Sequence, residues 1–247
     1  MSAKANLRPQ ANIEGKGACC PELDIWEGNA RATHLAPHPC NITSLYEGTG
    51  EENAFEGVCD EWGCGQNPYA IGNKGFYGAG PEFTINTLRD FTVITQFVAN
   101  EKGELDEIRR RYIQDGKYIE SPTVKVSGRP EVSIMDNEYC AATGGARRFE
   151  ELGGMAEMGD ALSRGMVLCF AIWWDEGGFM SWLDGGDVGP CVGDEGKPSN
   201  ILKVEANPEV TFENIRWGEI GSTFKQPKPV LPGKPGSGKP GKPAHGH

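Results

Sequence analysis

The sequence contains no apolar stretch that approaches 18 residues, the length that a membrane-spanning helix requires. Its first ten residues also lack the apolar segment of a secretory signal peptide, so we expect neither feature in this chain. Basic residues are scarce, because 24 Lys and Arg stand against 35 Asp and Glu and the net charge is −11. A surface of that charge repels phosphate groups, so we expect no nucleic acid as a partner. Without a long apolar stretch, we expect no membrane as a partner either.

Glycine, in contrast, is abundant, with 35 of 247 residues, about twice its usual share. Long helices do not tolerate this content, because each glycine in a helix interior costs conformational free energy. The composition therefore predicts a turn-rich all-β protein with short helices. The length fits one such domain or two smaller ones.

Eight cysteines occur without a repeated Cys-x-x-Cys pair, which indicates disulfide bonds formed on the secretory route. Asn41-Ile42-Thr43 adds an N-glycosylation sequon. We therefore expect a secreted, extracellular glycoprotein, and we reconcile this with the first ten residues by expecting that the chain begins inside a longer protein. The cysteines alone leave open whether they form four internal bridges or bond to a missing part.

Residues 19–40 are the stretch best suited to carry chemistry, because Glu22, Asp24 and Glu27 fall within six residues. In an extended strand Glu22 and Asp24 share one face, and a bulge or bend near Trp26-Glu27-Gly28 would bring Glu27 to that face as well. Crowded carboxylates differ in protonation, and a pair about 5–5.5 Å apart suits retaining glycoside hydrolysis. From the spacing alone, a solvated acidic strand is an equally good interpretation.

Hydrophobic periodicity predicts four further elements. Residues 91–97 alternate as a strand, and residues 111–119 contain the Asp-Gly turn of a β-hairpin. Apolar residues three or four apart predict a short helix over 149–162. The continuous apolar run 166–174 predicts a strand buried on both faces, with Trp173 in the core.

Histidines and tryptophans offer further candidate residues. The spacing of His34 and His38 would suit a metal site on a helix, but the neighbouring prolines break any such helix, so we expect no metal and interpret His34 as structural. Trp174 and Trp182 could stack against pyranose rings. Taken alone, a core role is the better interpretation of both indoles.

The chain resembles glycoside hydrolase family 7, the secreted endo-β-1,4-glucanases and cellobiohydrolases of fungi. The resemblance covers residues 11–224 and rests on these segments: Asn12-Ile-Glu-Gly, Cys19-Cys-Pro-Glu-Leu-Asp-Ile-Trp-Glu-Gly-Asn, Arg31-Ala-Thr-His-Leu-Ala-Pro-His-Pro-Cys40, Phe55-Glu-Gly-Val-Cys-Asp60, Asn67-Pro-Tyr69, Gly165-Met-Val-Leu168, Trp174-Asp-Glu176 and Asn214-Ile-Arg-Trp-Gly-Glu-Ile-Gly-Ser-Thr-Phe224. These matches are long and specific, and they favour a catalytic role for the acidic segment.

The resemblance assigns roles to the site residues. It implies that Glu22 is the nucleophile, Glu27 the acid/base, and Asp24 the partner that orients the nucleophile. It places His38 beside the aglycone site. The segments around Trp174 and Trp182 match parts that line the family's cleft, which favours substrate binding for both residues.

The resemblance also implies disulfides and a groove shape. It pairs Cys40 with Cys59 and Cys64 with Cys140, while Cys19, Cys20 and Cys191 match cysteines that bond to an N-terminal half and Cys169 lies outside the pattern. Only eight residues separate Trp182 from Cys191, and five separate Asn53 from Cys59, where cellobiohydrolases carry longer loops. The resemblance therefore implies an open groove.

The fold implied by the resemblance is a concanavalin A-like jelly-roll sandwich of two antiparallel sheets with short helices, incomplete at the N-terminus. Residues 1–225 form the partial catalytic domain, and residues 226–247 form a Pro/Gly/Lys-rich linker without a cellulose-binding module. The implied activity is retaining hydrolysis of internal β-1,4-glucosidic bonds in cellulose and related glucans, without a cofactor, by a protein that is a monomer when complete. The alternatives are a cellobiohydrolase of the same family and a non-catalytic carbohydrate-binding sandwich or inactive fragment.

Overall fold

The computed structural model describes residues 17–44, 46–48, 57–125, 130–143 and 147–225, so the predicted linker lies outside it. In chain order the described elements are β1 (Gly17–Cys19), β2 (Glu22–Gly28), β3 (Thr33–His38), β4 (Tyr46–Gly48), β5 (Tyr77–Gly78), β6 (Ile85–Asn86), β7 (Thr92–Ala99), β8 (Leu105–Gln114), β9 (Lys117–Glu120), β10 (Ile134–Met135), α1 (Asn137–Ala142), α2 (Arg147–Glu151), α3 (Gly154–Arg164), α4 (Ser181–Asp184) and α5 (Pro198–Val204). The chain is therefore mainly β with short helices, as predicted. None of these helices is long and apolar enough to cross a membrane.

Strand β8 is the centre of the largest described sheet, where it pairs antiparallel with β7, β9 and β10. The predicted strand at 91–97 corresponds to β7, and the predicted hairpin is formed by β8 and β9. Asp115 and Gly116 both have positive φ angles, 51° and 70°, as a two-residue turn of this kind requires. Both predictions are confirmed.

Strands β2 and β3 form a separate antiparallel hairpin that packs on this sheet. Leu35 of β3 joins Ile108 of β8 in the main core cluster, and Leu23 of β2 packs against it. The pairs β1–β4 and β5–β6 complete the described sheets, and β5–β6 is parallel. The hairpin that carries the acidic segment is thus supported from behind by β8.

Two disulfides fasten the loops around this hairpin. Cys40 bonds to Cys59 and Cys64 bonds to Cys140, which confirms both expected pairs. The remaining cysteines with described side chains, namely Cys20, Cys169 and Cys191, are free in this chain.

The predicted helix over 149–162 is divided into α2 and α3. Gly153 and Gly154 adopt φ angles of 98° and 57°, which a continuous right-handed helix cannot contain. Met155 and Met158 of α3 are buried in the main core, as expected for residues with a packing role. The prediction of one helix was wrong because the two glycines end α2 and start α3.

The apolar run at 166–174 is the main difference from the sequence-based expectation. It forms neither a strand nor a helix, and its residues are exposed. Trp173, predicted to be buried, is 45% exposed. Apolar character predicts burial only where other elements cover the segment, and the described residues provide no pairing strand for it. The predictions of a buried strand and a buried Trp173 are therefore wrong for this structure.

Candidate active site

Strand β2 presents three carboxylates towards β3. Its register pairs Glu22 with His38 and Glu27 with His34, and it shifts between Asp24 and Glu27. Three steps along β2 correspond to two along β3, so β2 contains one extra residue, as in a β-bulge. Directly opposite residues of an antiparallel pair share a face, so the bulge brings Glu27 to the face of the other two carboxylates. This confirms the predicted bulge.

His38 connects Asp24 to the protein interior. Its Nε2 lies 3.1 Å from Asp24 Oδ2, and its Nδ1 lies 2.9 Å from the carbonyl oxygen of Asp60. A carbonyl oxygen only accepts hydrogen bonds, so Nδ1 carries a proton, and Nε2 can donate to Asp24 only when the ring is an imidazolium. Burial disfavours that cation, but the hydrogen bond from His38 to Asp24 and the charges of Asp24 and Glu22 outweigh it and raise the pKa of His38.

His38 is only 7% exposed, whereas the resemblance implied a place beside the aglycone site. Both ring nitrogens face protein groups, namely Asp24 and the Asp60 carbonyl. The structure thus places the buried His38 ring beside the carboxylates on the same face of the hairpin, where it can fix the position of Asp24.

Glu22 occupies a desolvated position beside Asp24. Burial, followed by the negative charge of Asp24, raises the pKa of Glu22, while the charge of His38 lowers it. This is an environment in which the protonation of one carboxyl depends on that of its neighbour. Among the described residues, no group of three or more His, Cys, Asp or Glu side chains is arranged to hold a metal ion.

His34 is a residue whose position in the site the sequence did not reveal. Its Nδ1 lies 3.2 Å from Glu27 Oε2, and its ring packs against Gly65, where a Cβ atom would collide with Nε2. The sequence carried one signal for this position: His34 and His38 are an even number of residues apart on one strand, so they share a face. Without the β2–β3 register, that signal could not be connected to the acids.

Trp182 extends the site beyond the carboxylates. Its ring centre lies 6.5 Å from that of His34, and Trp173 stacks on it at 6.0 Å with an interplanar angle of 14°. Trp174 and Trp182 are each 41% exposed, so both offer an accessible aromatic surface. Of these two tryptophans, Trp182 has a ring contact with His34, the histidine that faces Glu27. No described ring contact joins Trp174 to a site residue.

Helix α4, which carries Trp182, is fastened to the end of β2. Asn29 Nδ2 donates to Asp184 Oδ2 at 2.6 Å, and Asn67 Nδ2 donates to the Leu183 carbonyl at 3.2 Å. Asp184 is buried, so the first of these bonds is shielded from water. The two amides fix the indole relative to the carboxylate strand.

Comparison with known proteins identifies similar chains. Residues 2–224 match the family described as Glycosyl hydrolase family 7. Over 215 residues the chain is 58% identical to Endoglucanase EG-1 of Humicola insolens, with 87% of this chain and 49% of the relative covered. Over 222 residues it is 55% identical to Endoglucanase type C of Fusarium oxysporum, with 90% and 52% covered. The chain thus spans about half the length of the curated relatives it matches.

Solved structures give the same result. The native structure of Humicola insolens endocellulase EGI superposes with a TM-score of 0.82 at 56% identity, covering 88% of this chain and 56% of that one. A cellobiohydrolase of the family from Daphnia pulex gives a TM-score of 0.72 at 33% identity, covering 78% and 49%. The identity is therefore higher to the endoglucanase than to this cellobiohydrolase.

Proposed function

Because the chain belongs to glycosyl hydrolase family 7, we propose that it carries the catalytic carboxylates of a retaining endo-β-1,4-glucanase. One observation carries this proposal: the bulged strand β2 directs three carboxylates to one face and places a histidine opposite two of them. Retaining hydrolysis requires two carboxyl groups on one surface, one to attack the sugar and one to protonate the leaving oxygen.

In this mechanism Glu22 attacks the anomeric carbon, and Glu27 donates a proton to the departing glycosidic oxygen. The bond from the anomeric carbon to that oxygen breaks as the bond to Glu22 forms. Glu27 then takes a proton from a water molecule while the oxygen of that water bonds to the anomeric carbon, the bond from that carbon to Glu22 breaks, and both carboxyl groups return to their starting states. Asp24, held by His38 at 3.1 Å, fixes the position and charge next to the nucleophile.

Substrate binding is assigned to the tryptophans. The apolar faces of pyranose rings stack on flat aromatic surfaces, and Trp182 lies next to the His34–Glu27 pair. We place one glucose ring on Trp182, close to the acid/base, and a more distant ring on Trp174. His38, being buried, acts through Asp24 and supports the ring at the reacting bond only indirectly.

Internal cleavage is favoured by the turn that follows α4. The Cys191 amide donates to the Asp184 carbonyl at 2.8 Å, which closes residues 185–190 into a compact turn. A turn of this size does not extend over a groove. The relatives named endoglucanase at 58% and 55% identity support the same choice over action from a chain end.

The complete fold that we propose is the jelly-roll sandwich of two antiparallel sheets, in which the β2–β3 hairpin belongs to the sheet that lines the groove. The superposition on the Humicola insolens endocellulase supports it. The two disulfides fit an oxidising compartment, so we propose an extracellular location.

The proposal is tested with what we term the extended protein, which is this chain preceded by the part of Humicola insolens Endoglucanase EG-1 that has no counterpart in it. On a soluble β-1,4-glucan, an endoglucanase lowers the viscosity well before many reducing ends appear. If the viscosity falls only as fast as reducing ends appear, the extended protein acts as a cellobiohydrolase. An extended protein that binds the glucan without any hydrolysis would indicate a non-catalytic sandwich and overturn the proposal.

A further inference from the structure

Strand β8 presents a buried arginine to the back of the carboxylate strand. Ile108, Arg110 and Tyr112 alternate along β8, and all three are buried, with Arg110 only 2% exposed. Arg110 Nη2 donates to the carbonyl oxygen of Ile25. Ile25 lies inside the bulge of β2, between Asp24 and Glu27.

The position of Arg110 is not explained by an ion pair. Within the described part of the chain, no carboxylate forms an ion pair with it, and its Nε has no hydrogen-bond partner. Burial lowers the pKa of Arg110, and the neighbouring Tyr112 only partly opposes that effect. A buried cation without a counter-ion is costly, and an apolar side chain of similar volume is often at least as stable in such a position. Ion pairing therefore does not explain this arginine.

Two further contacts hold the main chain of β2 and of Asn29, the residue that follows it. Thr33 Oγ1 donates to the carbonyl of Glu27 at 3.1 Å, and the Tyr77 hydroxyl donates to the carbonyl of Asn29 at 3.0 Å. Arg110 supplies the donor for the Ile25 carbonyl, so the alternate carbonyls of Ile25, Glu27 and Asn29 each accept a hydrogen bond from a side chain. The bulge is thus clamped at fixed points along the backbone.

We propose that Arg110 is a positioning residue, whose guanidinium holds the Ile25 carbonyl and thereby fixes Glu27 relative to Glu22. This inference rests on the proposed function. A bulge disrupts the hydrogen-bonded ladder, so its peptide groups need other partners. The planar guanidinium supplies a rigid donor at the point where β2 changes register. Movement of this point would displace Glu27 more than Glu22, because the register between Glu22 and Asp24 is regular.

The test compares Arg110→Met with Arg111→Met in the extended protein. Arg111 is the matched control, because it is also a buried arginine of β8, but its Nη1 donates to the Ser133 carbonyl at 3.2 Å and its Nε lies 3.3 Å from Glu120 Oε1. Each variant is assayed on a soluble β-1,4-glucan and on an aryl cellobioside whose leaving group needs little protonation. KM, kcat and the melting temperature are measured together.

We expect Arg110→Met to lower kcat on the glucan by about 10- to 100-fold, the cost of a misplacement of roughly 1 Å, with KM nearly unchanged. Its kcat on the aryl cellobioside should fall much less, because that substrate depends little on Glu27. Arg111→Met should leave the ratio of the two kcat values unchanged, whatever its effect on the melting temperature. Equal losses on both substrates for Arg110→Met would assign Arg110 a merely structural role and overturn the inference.

Arg110→Lys keeps the test decisive if Arg110→Met does not fold. Lysine retains a donor but on a flexible stem, so the kcat ratio should fall by about threefold, between the parent and the methionine variant. An unchanged ratio in a folded Arg110→Lys protein would overturn the inference. If the extended parent hydrolyses neither substrate, the proposed function fails and the inference fails with it. An active parent with unaffected Arg110 variants refutes only the role of Arg110.

Discussion

Nε2 of His38 lies 3.1 Å from Oδ2 of Asp24, and the His38 ring is buried. The other ring nitrogen, Nδ1, donates to the main-chain carbonyl of Asp60. An imidazolium can therefore donate to both this carbonyl and Asp24, whereas a neutral ring can donate only to the carbonyl. The charge of this ring therefore determines whether Asp24 is held by an ion pair or only faces an unprotonated nitrogen. Both the stability and the function of the site should depend on it.

The first prediction concerns pH and stability. The pKa of His38 in the folded protein is raised above its ordinary value of 6.5, so the pair stabilises the folded state fully below about pH 6.5. That contribution is lost as the pH rises through the higher folded pKa. The melting temperature of the extended protein should therefore exceed that of His38→Asn most at low pH, and the difference should shrink towards alkaline pH.

A double-mutant cycle isolates this pair. The coupling between His38→Asn and Asp24→Asn, measured from melts in the extended protein, should decrease over the same pH window. A coupling that stays constant from pH 5 to pH 9 would show that the two side chains do not form the ion pair described here.

The second prediction concerns the catalytic roles. In the extended protein, Glu22→Gln should abolish turnover on every substrate, because the amide cannot form the glycosyl-enzyme bond. Glu27→Gln should be severe on a glucan but should retain activity on an aryl cellobioside, whose leaving group departs with little protonation. Initial rates on the two substrates separate these outcomes.

Glu104→Gln is the control for this pair, since Glu104 is an exposed acid just before β8, and its rates should match those of the parent. Equal residual activity of Glu22→Gln and Glu27→Gln on the aryl substrate would contradict the assignment of roles. Retained glucan binding by both variants would confirm that only the chemistry is lost.

The third prediction concerns the aromatic platforms. Trp174→Ala and Trp182→Ala should each weaken binding of a glucan oligosaccharide by about 1–3 kcal/mol, the scale of one lost aromatic contact. The effect of Trp182→Ala should include a lower kcat, because its ring adjoins the histidine that faces Glu27. Titration calorimetry with the inactive Glu22→Gln background measures the binding term alone.

Trp217→Ala serves as the matched tryptophan control. Trp217 is highly exposed and lines the turn at 215–223, and no described ring contact joins it to Trp182 or His34. Its replacement should leave the affinity unchanged. A Trp174 or Trp182 variant that melts at a much lower temperature but binds normally would identify that indole as a packing residue.

Local sequence signals predicted the strand that carries the acids, its bulge, and two parts of the sheet behind it. The Asp-Gly turn at Asp115-Gly116 and the alternation along β7 depend on neighbouring residues, so they could be read directly. The bulge in β2 could be predicted because three acids can share a face only with one extra residue between them. The two disulfides came from the resemblance rather than from spacing.

The contacts that cross between elements could not be predicted. The approach of His34 to Glu27 depends on the β2–β3 register, and the contact of Arg110 with Ile25 depends on how β8 packs behind β2. The prediction of a buried strand over 166–174 was wrong for a related reason. The apolar composition of this segment indicates that it needs a covering element, but it does not identify that element. Periodicity describes one element at a time, whereas burial depends on its neighbours.

The last prediction concerns the chain expressed by itself. Its large exposed apolar side chains fall mainly in two segments, 166–174 and 210–220, and Val167 is 88% exposed. Apolar surface of this extent on an otherwise acidic protein favours association. We therefore expect the chain alone to self-associate, to bind the dye ANS and to lack glucanase activity, whereas the extended protein should be a monomer that melts cooperatively. Light scattering after size-exclusion chromatography and calorimetry measure these properties.

The substitution Val167→Thr tests whether this apolar surface is the cause, because its two effects should have opposite signs. In the chain alone, a more polar residue at 167 should reduce association and dye binding, since it removes part of the exposed apolar surface. In the extended protein it should lower the melting temperature, because a side chain packed against the added part would lose apolar contacts. Leu88→Thr, at an exposed position outside these two segments on the turn after β6, should change both properties much less. A monomeric chain with a cooperative melt and glucanase activity would contradict the prediction, because residues 166–174 would then need no further partner.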